Sequence, residues 1–300
     1  MCEFCTKHGE GKVWYLQMKN YASELLHEDL SAAERDITGV TTRLEYTHRF
    51  WETFVLPALT GVSVPEEGSQ AQGPWIPRSE DEIVARQKVD HFGQVLTIED
   101  VEKVIEMADS ITRMPCGCRF ESTGKTNQRY CFGLGIDKWG ILGKYPDAAA
   151  SLEVLSKEEA RKLFRTFDDE GLIHSIWTGV TPYVIGMCNC DRDCGAYGGY
   201  IVRRGAPGFF RGESICQVDW DLCTGCKSCM SQCQFGAQFY SSALGKVYIE
   251  PARCFGCGVC RAACPNEAIA LIPRSASPEA AGIWLKETGA TAPETGAGSV

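Results

Sequence analysis

Apolar residues recur at helical spacing in two stretches whose starts carry capping residues. Thr97 precedes Asp100 by three positions, and Ile98, Val101, Val104, Ile105 and Ala108 follow at intervals of three or four. This predicts a helix with one buried stripe. Ser156 and Glu159 form a capping-box signature, after which Ala160, Leu163, Phe164 and Phe167 repeat until Gly171, a suitable C-terminal glycine. The stretch Tyr21 to Asp36 is either one helix or, from the Ser31 and Glu34 pair, a short second helix. Beyond Gly171 the pattern changes, and LIHSIWTG and TPYVIGMC predict the two strands of a hairpin. Residues 61–80 hold Gly61, Pro65, Gly68, Gly73, Pro74 and Pro77, which predicts a long loop. The most apolar run, Phe50 to Val64, is interrupted by Glu52, Pro57 and Gly61. It falls short of the ~18 apolar residues a membrane span needs and reads as a buried helix end with its following loop.

Composition changes this picture mainly through cysteine. Hydrophobic residues make up 44 % of the 300, as in ordinary globular chains. The net charge of -9 disfavours nucleic acid and anionic membrane surfaces as partners, because both require basic surface. Seventeen cysteines call for either disulfides or metal sites. The start MCEFCTKHGEGK has no apolar signal core and no twin arginine, so the expectation is a cytoplasmic, reduced chain in which clustered cysteines bind metal. Five regions follow: a CxxCxxH segment over 1–20, a mainly helical region over 21–110, a cysteine-rich domain over 111–212, a two-cluster module over 213–273, and a flexible tail over 274–300.

The module carries the strongest signal. Cys223, Cys226, Cys229 and Cys233 form one quartet, and Cys254, Cys257, Cys260 and Cys264 form a second. Both have the C-x2-C-x2-C-x3-C spacing of bacterial ferredoxins. Two-residue gaps let a tight turn aim three sulfurs at three irons of a cubane, while the fourth iron is reached from elsewhere. Each cysteine of the second quartet lies 31 positions after its counterpart, as do Ile249 and Glu250 after Val218 and Asp219. This is an internal duplication. It predicts crossed ligation: Cys223, Cys226, Cys229 and Cys264 on one 4Fe–4S cluster, and Cys254, Cys257, Cys260 and Cys233 on the other. Zinc sites usually pair two C-x2-C units, a different pattern. Pro265 follows Cys264, but Gln234 follows Cys233; the extra N–H at Gln234 is expected to be free to bond a sulfur.

Six further cysteines stand upstream: Cys116 and Cys118 in MPCGCR, Cys131, and Cys188, Cys190 and Cys194 in CNCDRDC. Gly117 permits a turn that brings Cys116 and Cys118 round one centre, and Asn189 permits the same less easily. PCxCR, a lone cysteine, a helix ending GLIH, CNC and two ferredoxin quartets together resemble a family of multicluster 4Fe–4S proteins from anaerobic bacteria. The resemblance covers roughly residues 100–273. It implies an electron-transfer subunit or partner of a larger redox enzyme, with a third cluster among these six cysteines. Extra cysteines common in the family after CNC are replaced here by Asp191, Arg192 and Asp193. Six exceed the four a cubane needs, so two are bystanders or serve another centre. Cys2, Cys5 and His8 are candidates for that extra site, holding a fourth cluster or zinc. Cys216 is left over and reads as a small buried hydrophobe.

Other motifs add little. Gly133-Leu-Gly135 lacks the context of a nucleotide fingerprint and reads as a turn. His27, His48, His91 and His174 share no ligand spacing, and the RFWETF and WIPR aromatics read as core or partner-facing. No serine–histidine, paired-carboxylate or phosphate-loop constellation suggests a catalytic residue. The expected fold is α+β, with the ferredoxin-like module packed on a cysteine-rich helical and hairpin domain. The expected function is electron transfer within a cytoplasmic redox complex of an anaerobic metabolism. The alternatives are a reductase whose upstream cluster has an open, substrate-binding iron, and a redox-sensing or scaffold protein with zinc upstream.

Overall fold

The computed structural model describes residues 13–61, 79–90, 93–203 and 205–285. The expected site at Cys2, Cys5 and His8, most of the loop after Gly61, the WIPR segment and the tail beyond Leu285 lie outside them. Helices and antiparallel sheets combine in an α+β arrangement.

Six strands form one sheet: β1 (Gly93–Leu96), β2 (Ile111–Met114), β3 (Cys131–Leu134), β4 (Glu153–Leu155), β5 (Ile173–Thr178) and β6 (Val184–Cys190). Their order is β1-β5-β6-β3-β2-β4, and every pairing is antiparallel. β5 and β6 are the hairpin read from LIHSIWTG and TPYVIGMC. β1 belongs to the region expected to be helical, so the sheet crosses the boundary drawn at residue 110. Gly133 also differs from expectation: it lies within β3, where an added Cβ would sit 2.4 Å from Ile136 Cγ2 and 2.9 Å from Met114 Sδ. Its small size serves close packing there, and only Gly135, at φ +70°, makes the turn.

The first four helices, α1 (Ala32–Thr38), α2 (Arg43–Phe50), α3 (Leu56–Thr60) and α4 (Glu80–Val89), precede the sheet. Ser31 and Glu34 cap α1 reciprocally, and the residues before it form 3-10 turns, Met18–Tyr21 and Ser23–His27. The second of the two readings of this stretch therefore holds. Between α2 and α3 a π-helical turn spans Trp51–Val55. It meets Pro57, which lacks the N–H needed to keep the α ladder in register.

α5 (Ile98–Met107) starts at Thr97, whose hydroxyl accepts the Asp100 N–H at 3.3 Å. After α6 (Gly117–Thr123), α7 (Ile141–Lys144) and α8 (Pro146–Ala150), α9 (Lys157–Asp169) carries the complete Ser156–Glu159 box and gives way to Gly171 at φ +80°. α5 and α9 cover one face of the sheet, where Val101, Val104, Ile105, Phe164 and Phe167 meet Phe132, Ile176 and Met187. Phe164 is fully buried and its ring lies 4.5 Å from that of Phe132. Phe164→Ala should lower stability by about 3–5 kcal/mol, read as a fall in the thermal unfolding midpoint under anaerobic conditions. On the opposite face Trp177 of β5 packs with Trp51, Val55 and Trp139, and that face bears the upstream cysteines.

The module repeats one unit twice. β7 (Ser214–Val218), α10 (Ser228–Gln232) and β8 (Gln238–Ser241) correspond to β9 (Lys246–Ile249), α11 (Val259–Ala262) and β10 (Ile269–Pro273). β7 pairs with β10 and β8 with β9. The repeats exchange matching bonds, Asp219 N–H to Ala268 O and Glu250 N–H to Ala237 O, both 2.8 Å. Toward the sheet, Arg261 pairs with Glu99 at 2.7 Å, and Phe210 bonds across the outer edge of β1.

The first part of the expected flexible tail is packed. Arg274 is fully buried, with Nε donating to Gly212 O at 2.7 Å and Nη2 to Cys254 O at 3.0 Å. Trp284 packs on Phe210. The segment's sparse apolar content conceals an arginine whose planar fork satisfies several carbonyls at once.

Candidate metal centres

In the module the two quartets close round two cavities. One is lined by Cys223, Cys226, Cys229 and Cys264, the other by Cys233, Cys254, Cys257 and Cys260. The loops reach this shape because of positive-φ residues. Gly225 and Gly256 have φ of +71° and +79°, and a Cβ on either would lie within 2.0 Å of the carbonyl of Gly245 or Ser214. The fourth cysteine of each run accepts a main-chain N–H, from Ala237 to Cys233 Sγ at 3.4 Å and from Ala268 to Cys264 Sγ at 3.3 Å. Four thiols round one cavity, with N–H groups aimed at sulfur, suit a thiolate-bound cluster that carries negative charge. The surroundings differ. Cys223, Cys229, Cys254 and Cys260 are all buried, but Cys226 is exposed where its counterpart Cys257 is half-buried.

No sulfur bond from the Gln234 N–H accompanies these. The side chain of Gln234 instead donates to Gly171 O at 3.2 Å, and Gly171 leaves room for the neighbouring Gln232. The position that holds proline after the other quartet is used here to join the module to the end of α9.

The six upstream cysteines, from three separate segments, meet on one face of the sheet. Cys131 and Cys188 are direct cross-strand partners of β3 and β6, with their sulfurs 3.1 Å apart. Cys131 Sγ is also 3.1 Å from Cys116 Sγ, which accepts the Tyr130 N–H at 3.2 Å. Cys190 contacts Cys188 and Cys194, and Cys194 contacts Cys118, so all six join in one chain of thiol contacts. Hydrogen-bonding contacts with Cys131 and Cys190 bring Cys188 down to about 7. Bonds from Cys118 and Cys190 hold Cys194 well below the usual thiol range. Burial and the Cys131 contact push Cys116 well above it. Thiolate is the form that binds metal, and these shifts favour it at Cys188 and Cys194.

Two expectations about this site change. Asn189 makes no turn: Cys188 and Cys190 sit in extended β6 and share a face, while the Asn189 Oδ1 lies 2.6 Å from His174 Nδ1. Gly117 has no positive φ; it is needed because a Cβ would lie 2.5 Å from Phe54 O. Asp191 is structural, accepting the Asp193 and Cys194 N–H groups and pairing with buried Arg119 at 3.0 Å. Beside the thiols lies an apolar cavity of about 50 Å³, lined in part by Phe54, Trp177, Cys118, Cys131 and Cys188. Among the described residues, no three His, Cys, Asp or Glu side chains are grouped to hold a metal ion on their own.

Tyr197 stands between the upstream thiols and the second module cavity. It is fully buried in a core shared by Cys190 and Cys194 and by Phe235, Phe255 and Cys257 of the module. Its ring is 5.9 Å from Phe235, which stacks on Phe255 at 3.9 Å, and both phenylalanines line that cavity. Sequence reasoning missed Tyr197; Cys216 is the small buried residue expected, in the module's core, and it also lines the second cavity. Comparing the two repeats position by position would have exposed that second role.

Residues 222–269 match a family described as a 4Fe-4S dicluster domain. The chain is 40 % identical over 57 residues to archaeal-type glutamate synthase (NADPH) of Thermotoga maritima, covering 19 % of this chain and 11 % of the relative. It is 39 % identical over 54 residues to indolepyruvate oxidoreductase subunit IorA of Pyrococcus abyssi, covering 18 % and 8 %. The chain therefore spans about a tenth of the curated relatives it matches. No solved structure matches it. These likenesses give the C-terminal module as a ferredoxin-type domain with two 4Fe–4S clusters, suited to electron transfer. No described helix is long and apolar enough to cross a membrane.

Proposed function

We propose that this protein relays electrons along three iron–sulfur centres as a component of a larger redox complex. The order is the upstream six-cysteine site, the Cys233/Cys254/Cys257/Cys260 cluster, then the Cys223/Cys226/Cys229/Cys264 cluster. The observation that carries this reading is Tyr197, set with Phe235 and Phe255 between the upstream thiols and the second cavity. Iron, sulfide and zinc should be quantified on the whole chain purified without oxygen. About twelve irons, three four-iron clusters, are expected. Zinc upstream, or about eight irons in total, overturns the three-centre row.

The partner would dock where the row reaches the surface. Of eight exposed large hydrophobic residues among those described, Trp220, Leu222, Phe239, Tyr240, Leu244 and Tyr248 belong to the module. Phe239 and Tyr248 pair across β8 and β9, and Tyr240 lies against the loop of exposed Cys226 through Gly225. Grouped exposed apolar residues mark interaction surfaces. Phe239→Glu with Leu244→Glu should leave iron content unchanged and separate the protein from its native partner. Size-exclusion chromatography of anaerobic extracts should then show it eluting later than wild type.

The apolar cavity beside Cys118, Cys131 and Cys188 favours one second reading, a reductase whose upstream cluster binds a small apolar substrate. A substrate-dependent change in the EPR signal of the isolated protein would support it.

A further inference from the structure

The two module cavities are related by the duplication, so their linings can be compared residue by residue. Val247 in the first corresponds to Cys216 in the second, and Ile269 to Gln238. At these two positions the first cavity has an aliphatic side chain and the second a hydrogen-bonding one, whereas Thr224 and Asn266 of the first correspond to Phe255 and Phe235 of the second. The neighbours Val218 and Ile249, and Ala268 and Ala237, stay apolar in both.

Both polar groups face the thiols of the second site. Cys216 is 2 % exposed, its N–H points to Cys254 Sγ at 3.4 Å, and its thiol contacts those of Cys254 and Cys260. Gln238 is 8 % exposed, and its Oε1 has no hydrogen-bond partner. A buried, unpaired amide in a thiol-lined cavity is costly without something to bond. Turning the amide through half a rotation presents two N–H donors to the same place.

We propose that Cys216 and Gln238 are positioning residues that donate hydrogen bonds to the sulfurs of the Cys233/Cys254/Cys257/Cys260 cluster and raise its reduction potential. This rests on the reading of that cavity as a 4Fe–4S site. When the cluster takes up one electron, negative charge on its sulfurs increases, and donors favour the reduced form. Burial acts in the opposite direction, because low dielectric disfavours added charge. The second cavity is the more buried of the two, so its donors offset that penalty. Electrons can then pass between the two clusters without a large drop in potential.

The test is an EPR-monitored redox titration of the whole chain, with dithionite as reductant, alongside iron analysis. Cys216→Val and Gln238→Ile copy the first cavity's lining. Each should keep the wild-type iron content and lower one midpoint. The expected fall is about tenfold in the reduced-to-oxidised ratio at fixed potential, about 59 mV for a one-electron couple. Cys216→Ser retains a donor and should shift less than Cys216→Val. The converse change, Val247→Cys, should raise the other cluster's midpoint. Unchanged midpoints at full iron content in both Cys216→Val and Gln238→Ile overturn the proposal. So does loss of about four irons in both Cys216→Val and Cys216→Ser, which would make Cys216 a ligand. Wild-type iron content tests the cluster reading separately from the midpoints.

Discussion

A chain in which Cys223, Cys226, Cys254 and Cys257 are all changed to Ala should still take up about four irons on anaerobic reconstitution, with a 4Fe–4S signature. The upstream thiols depend on none of those four residues. Cys131, Cys188 and Cys190 are held by β3 and β6 in the middle of the six-stranded sheet. Cys116 and Cys118 are held at the start of α6 by the close approach of Gly117 to Phe54, and Cys194 by the turn that Asp191 makes. The variant takes Cys257 from the module's share of the common core but leaves Phe235, Phe255 and Val259 in place. Adding Cys118→Ala and Cys188→Ala to the quadruple variant should abolish the remaining iron. Zinc in place of iron in the quadruple variant, or no metal at all, would remove the third centre. The protein would then be a two-cluster module on a large folded support.

Sequence spacing was enough to find the module because its cysteines are local: three sulfurs within seven residues need only one turn, and the other repeat brings a fourth to the same cavity. The capped helices α5 and α9 and the β5–β6 hairpin were readable for the same reason, since each is decided by residues a few positions apart. The upstream site was readable only as a list. Which of the six cysteines meet depends on sheet register, in which Cys131 falls opposite Cys188, and no local pattern encodes that pairing. Gly117 shows the limit clearly. Its presence between two cysteines suggested a turn, but its reason is a carbonyl from a segment more than sixty positions away. The roles of Arg274 and Tyr197 were hidden likewise, because both act through partners distant in the chain.

Crossed ligation in the module gives the other large effect. Cys264 shares a cavity with Cys223, Cys226 and Cys229, and Cys233 shares one with Cys254, Cys257 and Cys260. The strand exchange explains why. β7 pairs with β10 and β8 with β9, so the end of each repeat returns beside the start of the other and carries its fourth cysteine there. Changing Cys223 and Cys264 together to Ala should therefore strike one cluster and cost about four irons. Changing Cys223 and Cys233 together should strike both and cost about eight. Uncrossed ligation reverses the two outcomes, so iron counts on the two double variants decide between the wirings. Alanine suits both pairs better than serine, because a serine oxygen can sometimes replace one thiolate and in the Cys223/Cys233 pair each cubane loses a single ligand.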